Sequence, residues 1–303
     1  MPIIRFTVVA FLLLAAPAIA ASDPQFSVGL GIDYGKGNFK TGYTSTYMAV
    51  PLIVDWVPNA RFNLELNVPY VKQTSSQPDK AVTAPMVTGS MGTSNMGAGN
   101  MAINGGTTSN TVTGGTRTVA AAGQPGMMGG AGSEAKLLNG VNQSGLGDIT
   151  LTGAYNLVLD GEGSLNLGVT GYVKFPTADK DKGLGTGAFD WGPGLLLAKR
   201  FGIWQPFAEG RYVIQGNSRP EIGARNYFLA DAGLGYDWRE NLSSTLFCRV
   251  GTAAFAGMAA PLEMRLKTVW GFRENTSVEL DLLKGLSAGS PDLGGGISFL
   301  VAF

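Results

Sequence analysis

The sequence predicts an all-β chain, a transmembrane antiparallel up-and-down β-barrel of about twelve strands, from three observations. Segments of about ten residues alternate apolar and polar positions again and again, the period of a strand with two unlike faces. The connections between them alternate between short turns and longer loops. Aromatic residues gather near the segment ends, where amphipathic rings meet a membrane interface.

The elements follow in order. "MPIIRF" and the apolar run "TVVAFLLLAAPAIA", closing on small residues, read as a secretory signal peptide over 1–20, leaving 21–303 as the barrel. The run is shorter than the roughly 20 apolar residues that span a bilayer as a helix. "FSVGLGIDY" puts Phe26, Val28, Leu30, Ile32 and Tyr34 on one face, and "RFNLELNVPY" does the same with Phe62, Leu64, Leu66, Val68 and Tyr70. The same pattern runs through "MAVPLIVDW", "DITLTGAYNL", "SLNLGVTGYVKF", "FDWGPGLLLAKRF", "WQPFAEGRYVI" and "YFLADAGLGYDW". It continues in "NLSSTLFCRV", "LEMRLKTVWGF" and "TSVELDLL", and ends in "GGISFLVAF".

Short turns fall at 57–60, 160–163, 202, 239–240 and 273–275, and longer loops at 35–44, 72–144, 176–187, 216–225, 251–260 and 285–291. This alternation places both chain ends on the short-turn side, as in barrels with short periplasmic turns and long external loops. Phe26, Trp56, Phe62, Trp204, Trp238, Trp270 and Phe303 form the expected belt at the short-turn end. Tyr34, Tyr47, Tyr70, Phe175, Phe189, Trp191, Tyr212 and Tyr227 form the expected belt at the other. An open sheet edge has no hydrogen-bond partner in lipid, so the strand ending at Phe303 must pair with the first. Its terminal Phe resembles the signal by which the barrel-assembly machinery recognises bacterial outer-membrane proteins.

Composition agrees. Charged residues make up 15% of the chain, against about 25% in soluble domains. Lys plus Arg balance Asp plus Glu at 22 each, with no basic block, so no nucleic-acid partner is expected. His is absent, which removes the commonest general base and metal ligand. Cys248 is the single cysteine, which excludes an internal disulfide framework. No catalytic, cofactor or metal motif is expected, and the expected partners are the outer-membrane bilayer and a small solute.

Apolar faces toward lipid leave the opposite faces for the lumen. The pore-lining candidates are Glu65, Asp148, Lys174, Glu209, Arg211, Asp231, Arg249, Glu263, Arg265, Lys267, Glu279 and Asp281, with Asp33, Asp190 and Asp237 on the same parity. Such residues inside a membrane require water or each other. Arg249, Arg265 and Lys267 fall within cross-strand reach of Glu279 and Asp281. Either they form a charged constriction that selects solutes, or a salt-bridge ladder that braces the wall. Twelve strands about 4.8 Å apart and tilted about 40° give a backbone diameter of roughly 24 Å, and a bore on the order of 10 Å if nothing plugs it.

The 72–144 segment is a low-complexity extracellular loop by this reading, rich in Gly, Ser, Thr, Asn and Met. Met86, Met91, Met96 and Met101 recur every five residues; thioethers bind Cu(I), but no His or Cys assists them there. A disordered loop, or a lid folding into the pore, are the alternatives.

"SGLGDITLTGAYNL" followed by "VKFPTADKDKGLGTGAFDWGPGLLLAKRFG" resembles the bacterial outer-membrane proteins grouped as the meta-pathway of phenol degradation family, over roughly residues 144–303. The resemblance implies a barrel that admits aromatic or other hydrophobic compounds. It implies no degradation chemistry, and it does not extend to the low-complexity loop. The function expected is therefore a channel or porin-like transporter for passive uptake of small, hydrophobic or aromatic solutes, in the outer membrane. A structural or surface-interaction barrel presenting the long loop is the alternative. A barrel hydrolase of the Ser–His kind has no His to use.

Overall fold

A computed structural model describes residues 26–39, 44–59, 61–75, 142–158, 165–216 and 223–303. The signal peptide at 1–20, the turn at 160–163, the repeated methionines and most of the long loop lie outside them.

The strands are β1 (Phe26–Gly37), β2 (Ser45–Asn59), β3 (Phe62–Ser75), β4 (Asn142–Leu146), β5 (Ile149–Val158), β6 (Leu165–Phe175) and β7 (Asp190–Lys199). They continue with β8 (Trp204–Val213), β9 (Tyr227–Arg239), β10 (Leu242–Gly251), β11 (Leu262–Arg273), β12 (Thr276–Gly285) and β13 (Leu293–Ala302). β4 and β5 both pair with β3 and form one strand interrupted at Gly147 and Asp148. With those two joined the barrel has twelve strands, each antiparallel to its neighbours in the chain.

The ring closes as the last strand demands. Ser27 through Lys36 of β1 register against Ala302 back to Leu293 of β13, and Phe303 N–H donates to Phe26 C=O at 2.8 Å. No edge is left to seek a partner, which is the condition for a sheet in lipid. The strands also run deeper into the long loop than alternation suggests, since Lys72, Gln73 and Thr74 pair with Ser144, Gln143 and Asn142.

The barrel is inverted relative to a water-soluble protein. Leu30, Ile32, Leu195, Leu280, Leu282, Ile297 and Phe299 are exposed on its outside, while ten acidic and five basic residues are buried among the described residues. An apolar outer belt of this kind is what hydrocarbon solvates and water does not.

Aromatic rings mark the ends. At the short-turn end Phe26 stacks on Trp56 at 6.2 Å, Trp56 meets Phe62, Tyr236 bridges Trp204 and Trp238, and Phe272 lies between Trp270 and Phe299. At the long-loop end Tyr34, Tyr70, Phe175, Phe189, Trp191 and Tyr212 are exposed. Tyr47 and Tyr227 depart from the expected belt: both are buried inside. They stand on the inward parity of their strands with Ala49 and Leu229, so strand position alone misplaces them.

Candidate functional site

The candidate site is the barrel interior and the loops that cover it. All twelve pore-lining candidates are buried. Strand alternation explains this, because inward positions recur every second residue and bring each charge onto the same face as its neighbours two residues away.

From β8 to β12 the wall carries a nearly continuous set of ion pairs. Glu209 and Arg211, two apart on β8, join at 2.7 Å, and Thr170 of β6 donates to the same Glu209 oxygen at 3.4 Å. Arg249 of β10 grips Asp231 of β9 with Nε at 2.7 Å and Nη2 at 2.6 Å, a two-pronged geometry that guanidinium favours. Arg265 bonds Glu263 at 2.9 Å and reaches Asp281 at 3.8 Å, while Lys267 pairs with Glu279 at 3.0 Å. Arg265 and Lys267 thus meet β12 as the spacing indicates. Arg249 does not: β11 lies between its strand and β12, and it bonds Asp231, which stands opposite it on β9.

Across the ring, Glu65 of β3 stands opposite Asp55 of β2, and Ser27 Oγ of β1 donates to Asp55 Oδ2 at 2.7 Å. Asp55 is the inward charge that the sequence reading omits. Its signal was available, since it shares the parity of Ile53 at the end of "MAVPLIVDW".

Loops fill the long-loop end. The β6–β7 connection turns through a short 3-10 helix, Lys180–Lys182, in which the N–H groups of Asp181 and Lys182 donate to the Asp179 side chain at its N-terminus. Those bonds, that from Lys182 above all, hold the exposed Asp179 carboxyl below the ordinary carboxylate range. Gly183 reverses the chain at φ 70°, a conformation that costs Gly little. Leu184 then drops into the barrel and is fully buried in one cluster with Tyr47, Val71, Ala178 and Leu283. Leu283 belongs to β12, almost opposite β6 and β7 in the ring, so the loop reaches across the mouth. Behind it Lys174, fully shielded from solvent, holds Asp190 at 2.6 Å and Asp148 at 3.4 Å and donates to Thr186 of the loop at 2.6 Å. Ala178 N–H of the loop bonds Asp148 Oδ1 at 3.0 Å, and Thr177 ties both sides of the β4–β5 interruption.

Two further loops turn inward. Phe39, between β1 and β2, is buried with φ 50°, and a Cβ on Gly37 would lie 2.5 Å from its ring. Phe255, between β10 and β11, is 1% exposed and packs with Tyr172, Val213, Tyr227, Leu229 and Ala254. Periodicity carries no information about these loop residues, and the sequence reading misses all three. The bore expected for an unplugged barrel is therefore occupied: Arg249, Arg265 and Lys174 are nearly or wholly shielded, and loop side chains close the mouth above them.

Among the described residues no group of three or more His, Cys, Asp and Glu is placed to hold a metal ion.

No family model matches the chain, and no curated protein matches it. Among solved structures, an outer-membrane channel from Pseudomonas putida F1 overlays with TM-score 0.60 at 14% identity, covering 95% of this chain and 99% of that one. The chain shares that fold. The KdgM porin in complex with disordered oligogalacturonate overlays at TM-score 0.48 and 7% identity over 91% and 99% of the two chains. The P. putida toluene transporter TodX overlays at 0.41 and 10% over 93% and 89%. Only the first overlay is close enough to compare folds, and at its identity the likeness is of fold alone.

Proposed function

We propose that this barrel is an outer-membrane channel for passive uptake of small, uncharged, hydrophobic or aromatic solutes, held here in its closed form. The observation that carries the reading is that loop side chains, Phe39, Leu184 and Phe255, are buried at the long-loop end, over an interior lined with charge. A closure built from loops can withdraw while the strand ladder stays intact, because loops are the segments of lowest local stability. The twelve pore-lining candidates line the path in this reading, and the pairing among them sets its selectivity as well as bracing the wall. The resemblance of "VKFPTADKDKGLGTG" to the phenol-degradation family supports an aromatic cargo; in the structure that stretch is the end of β6 and the loop crossing the mouth.

Swelling of liposomes containing the purified chain tests this. Phenol and small sugars presented to the full chain, and to a chain lacking 76–141, should enter faster than into empty liposomes, with the aromatic ahead of sugars of similar size. A barrel that passes nothing in either form refutes the channel and leaves the structural or surface-display reading.

A further inference from the structure

The outer surface of the barrel divides its charges by end and by sector. Every Asp and Glu within the described strands is buried except Asp237, which pairs with Arg200 near the short turns. Lys36 on β1, Lys72 on β3 and Lys284 on β12 are exposed, on the outward parity of Tyr34, Tyr70 and Leu282. All three stand at the long-loop ends of their strands. The exposed strand arginines, Arg239 and Arg273, lie at the other end, each followed by an exposed glutamate. None of the three lysines forms an ion pair with another described residue. The nearest acid in the chain, Asp292, is turned to the β1–β2 loop, where its Oδ2 accepts from Asn38 N–H at 3.0 Å.

Register sets the lysines beside one another. Lys36 pairs with Leu293 of β13, and Lys284 follows Leu283, which pairs with Gly294, so the two lysines flank Leu293 on one level. Two strand spacings separate them, about 10 Å, short enough for two long side chains to converge on one group. Lys72 stands one level down, reached through the pairs Tyr34–Met48 and Met48–Lys72. Leu293, at 61%, is the most exposed large apolar side chain among the described residues. Below it Gly295 lies between Leu282 and Tyr34 and leaves the apolar belt without a side chain at that point. The next level is apolar again, with Leu280, Ile297 and Ile32. The rest of the rim differs: β6 to β9 carry rings, Phe175, Trp191, Tyr212 and Phe228, where this sector carries cations.

A lysine on an apolar surface reaches water by extending its stem, which accounts for one such residue anywhere on the rim. It does not account for three in one sector with no acid among them, since like charges close together repel. We infer that β12, β13, β1 and β3 form a docking surface for the phosphorylated headgroup of a glycolipid, of the lipid A kind, in the leaflet at the long-loop end. One phosphate is held between Lys36 and Lys284 and a second by Lys72, while an acyl chain runs down over Gly295 beside Leu282 and Tyr34. Lysine binds phosphate as a point charge, without the fixed fork of arginine, which suits a headgroup in a fluid leaflet. Lys284 and Lys36 stand on either side of β13, so the bound phosphate spans the seam at which the barrel closes. The surface is independent of what the barrel conducts and stands whether or not the channel reading holds.

Native mass spectrometry of the full-length barrel, released from micelles containing diphosphorylated lipid A, measures the bound glycolipid. Lys36→Gln and Lys284→Gln should each weaken binding about fivefold, the contribution of one lysine near an anionic membrane surface, and the double variant about 25-fold. Lys36→Arg with Lys284→Arg keeps both charges and should keep the binding. Lys180→Gln with Lys182→Gln removes the same charge from exposed positions on the β6–β7 loop and should leave binding unchanged. Fully dephosphorylated glycolipid should bind wild type no better than the intact glycolipid binds the double variant. Equal binding by wild type and the Lys36/Lys284 double variant overturns the surface, and so does an equal loss in the loop-lysine control. Equal binding of the dephosphorylated glycolipid overturns it too, leaving the apolar belt as the attractant, and displacement by an equal concentration of inorganic phosphate would replace it with a free-anion site.

Discussion

Replacing Lys174 with Met removes the cation on which the β6–β7 loop is fastened. The ammonium has no measurable exposure and makes three polar contacts, to Asp190 at 2.6 Å, Asp148 at 3.4 Å and Thr186 at 2.6 Å. An exposed ion pair contributes at most about 1 kcal/mol. Breaking a buried one costs about 3–5 kcal/mol, because the abandoned charge stays out of water. Lys174→Met leaves two buried carboxylates without their shared cation, so the upper part of that range applies to the intact loop conformation. The chain can relieve much of this by releasing the loop and letting Asp148 and Asp190 hydrate. The expected outcome is therefore twofold: urea unfolding in micelles, followed by tryptophan fluorescence, loses less than the full 5 kcal/mol, and liposome permeability to phenol rises. Lys174→Met with Asp148→Asn and Asp190→Asn removes all three charges and should recover most of the stability while staying leaky. Stability within about 1 kcal/mol of wild type for the single variant, with unchanged permeability, would refute the claim that this triad fastens the mouth.

Gly185→Ala places a Cβ 2.7 Å from Ala178 Cβ and 2.7 Å from Asp148 Oδ1, so the loop must shift away from the interruption; permeability should rise as for Lys174→Met, measured by the same swelling assay. Asp179 gives a pH dependence of known sign: its carboxyl is held low by the backbone N–H groups of Lys182 and Asp181, so the turn is reinforced above the ordinary carboxylate range and loosens as pH falls through the lowered value. The amide shifts of Asp181 and Lys182 should titrate with that midpoint and lose the transition in Asp179→Ala; a midpoint at or above the ordinary value contradicts the cap. Asp231→Asn strips Arg249 of its two-pronged partner and should cost about 3–5 kcal/mol in urea unfolding, whereas Asp231→Leu with Arg249→Met should lie within about 1 kcal/mol of wild type. The excess of buried acids predicts cation preference in any open state, read as the sign of the reversal potential across a KCl gradient in planar bilayers; an anion-selective sign rejects it.

The parts of this molecule legible from sequence are those where two solvents act on alternate residues. An apolar outside and a charged inside impose a period of two on β1 through β13, and that period located the twelve-strand barrel and the closure of β13 on β1, while passing over Asp55 among the buried charges. Short hairpins such as β2–β3 and β9–β10 followed from the same breaks in pattern. The mouth obeys no such rule. Leu184, Phe39 and Phe255 sit on connections whose backbone has no fixed repeat, and what buries them is a cavity made by residues distant in the chain. Pairing choices were partly hidden for a related reason: knowing that Arg249 points inward does not say whether Asp231 of β9 or Glu263 of β11 will hold it, since both stand directly opposite it.

That division has a mechanical consequence. The strand ladder and the ion pairs of β8–β12 are mutually supporting, some charges held from the adjacent strand and others from two residues along the same strand, so losing one contact leaves the ring closed. The mouth depends on a few discrete contacts: one ammonium under the β6–β7 loop, one aspartate bonded to Asn38 in the β1–β2 loop, and one ring beneath the β10–β11 loop. Each joins a loop to the wall or to another loop, so each can part without unpairing a strand. If the loops were instead a permanent part of the fold, Lys174→Met, Gly185→Ala and Phe255→Ala would all lower barrel stability and none would change permeability. The opposite pattern, a leak larger than the stability loss explains, is the expected signature of a closure designed to come away from its barrel.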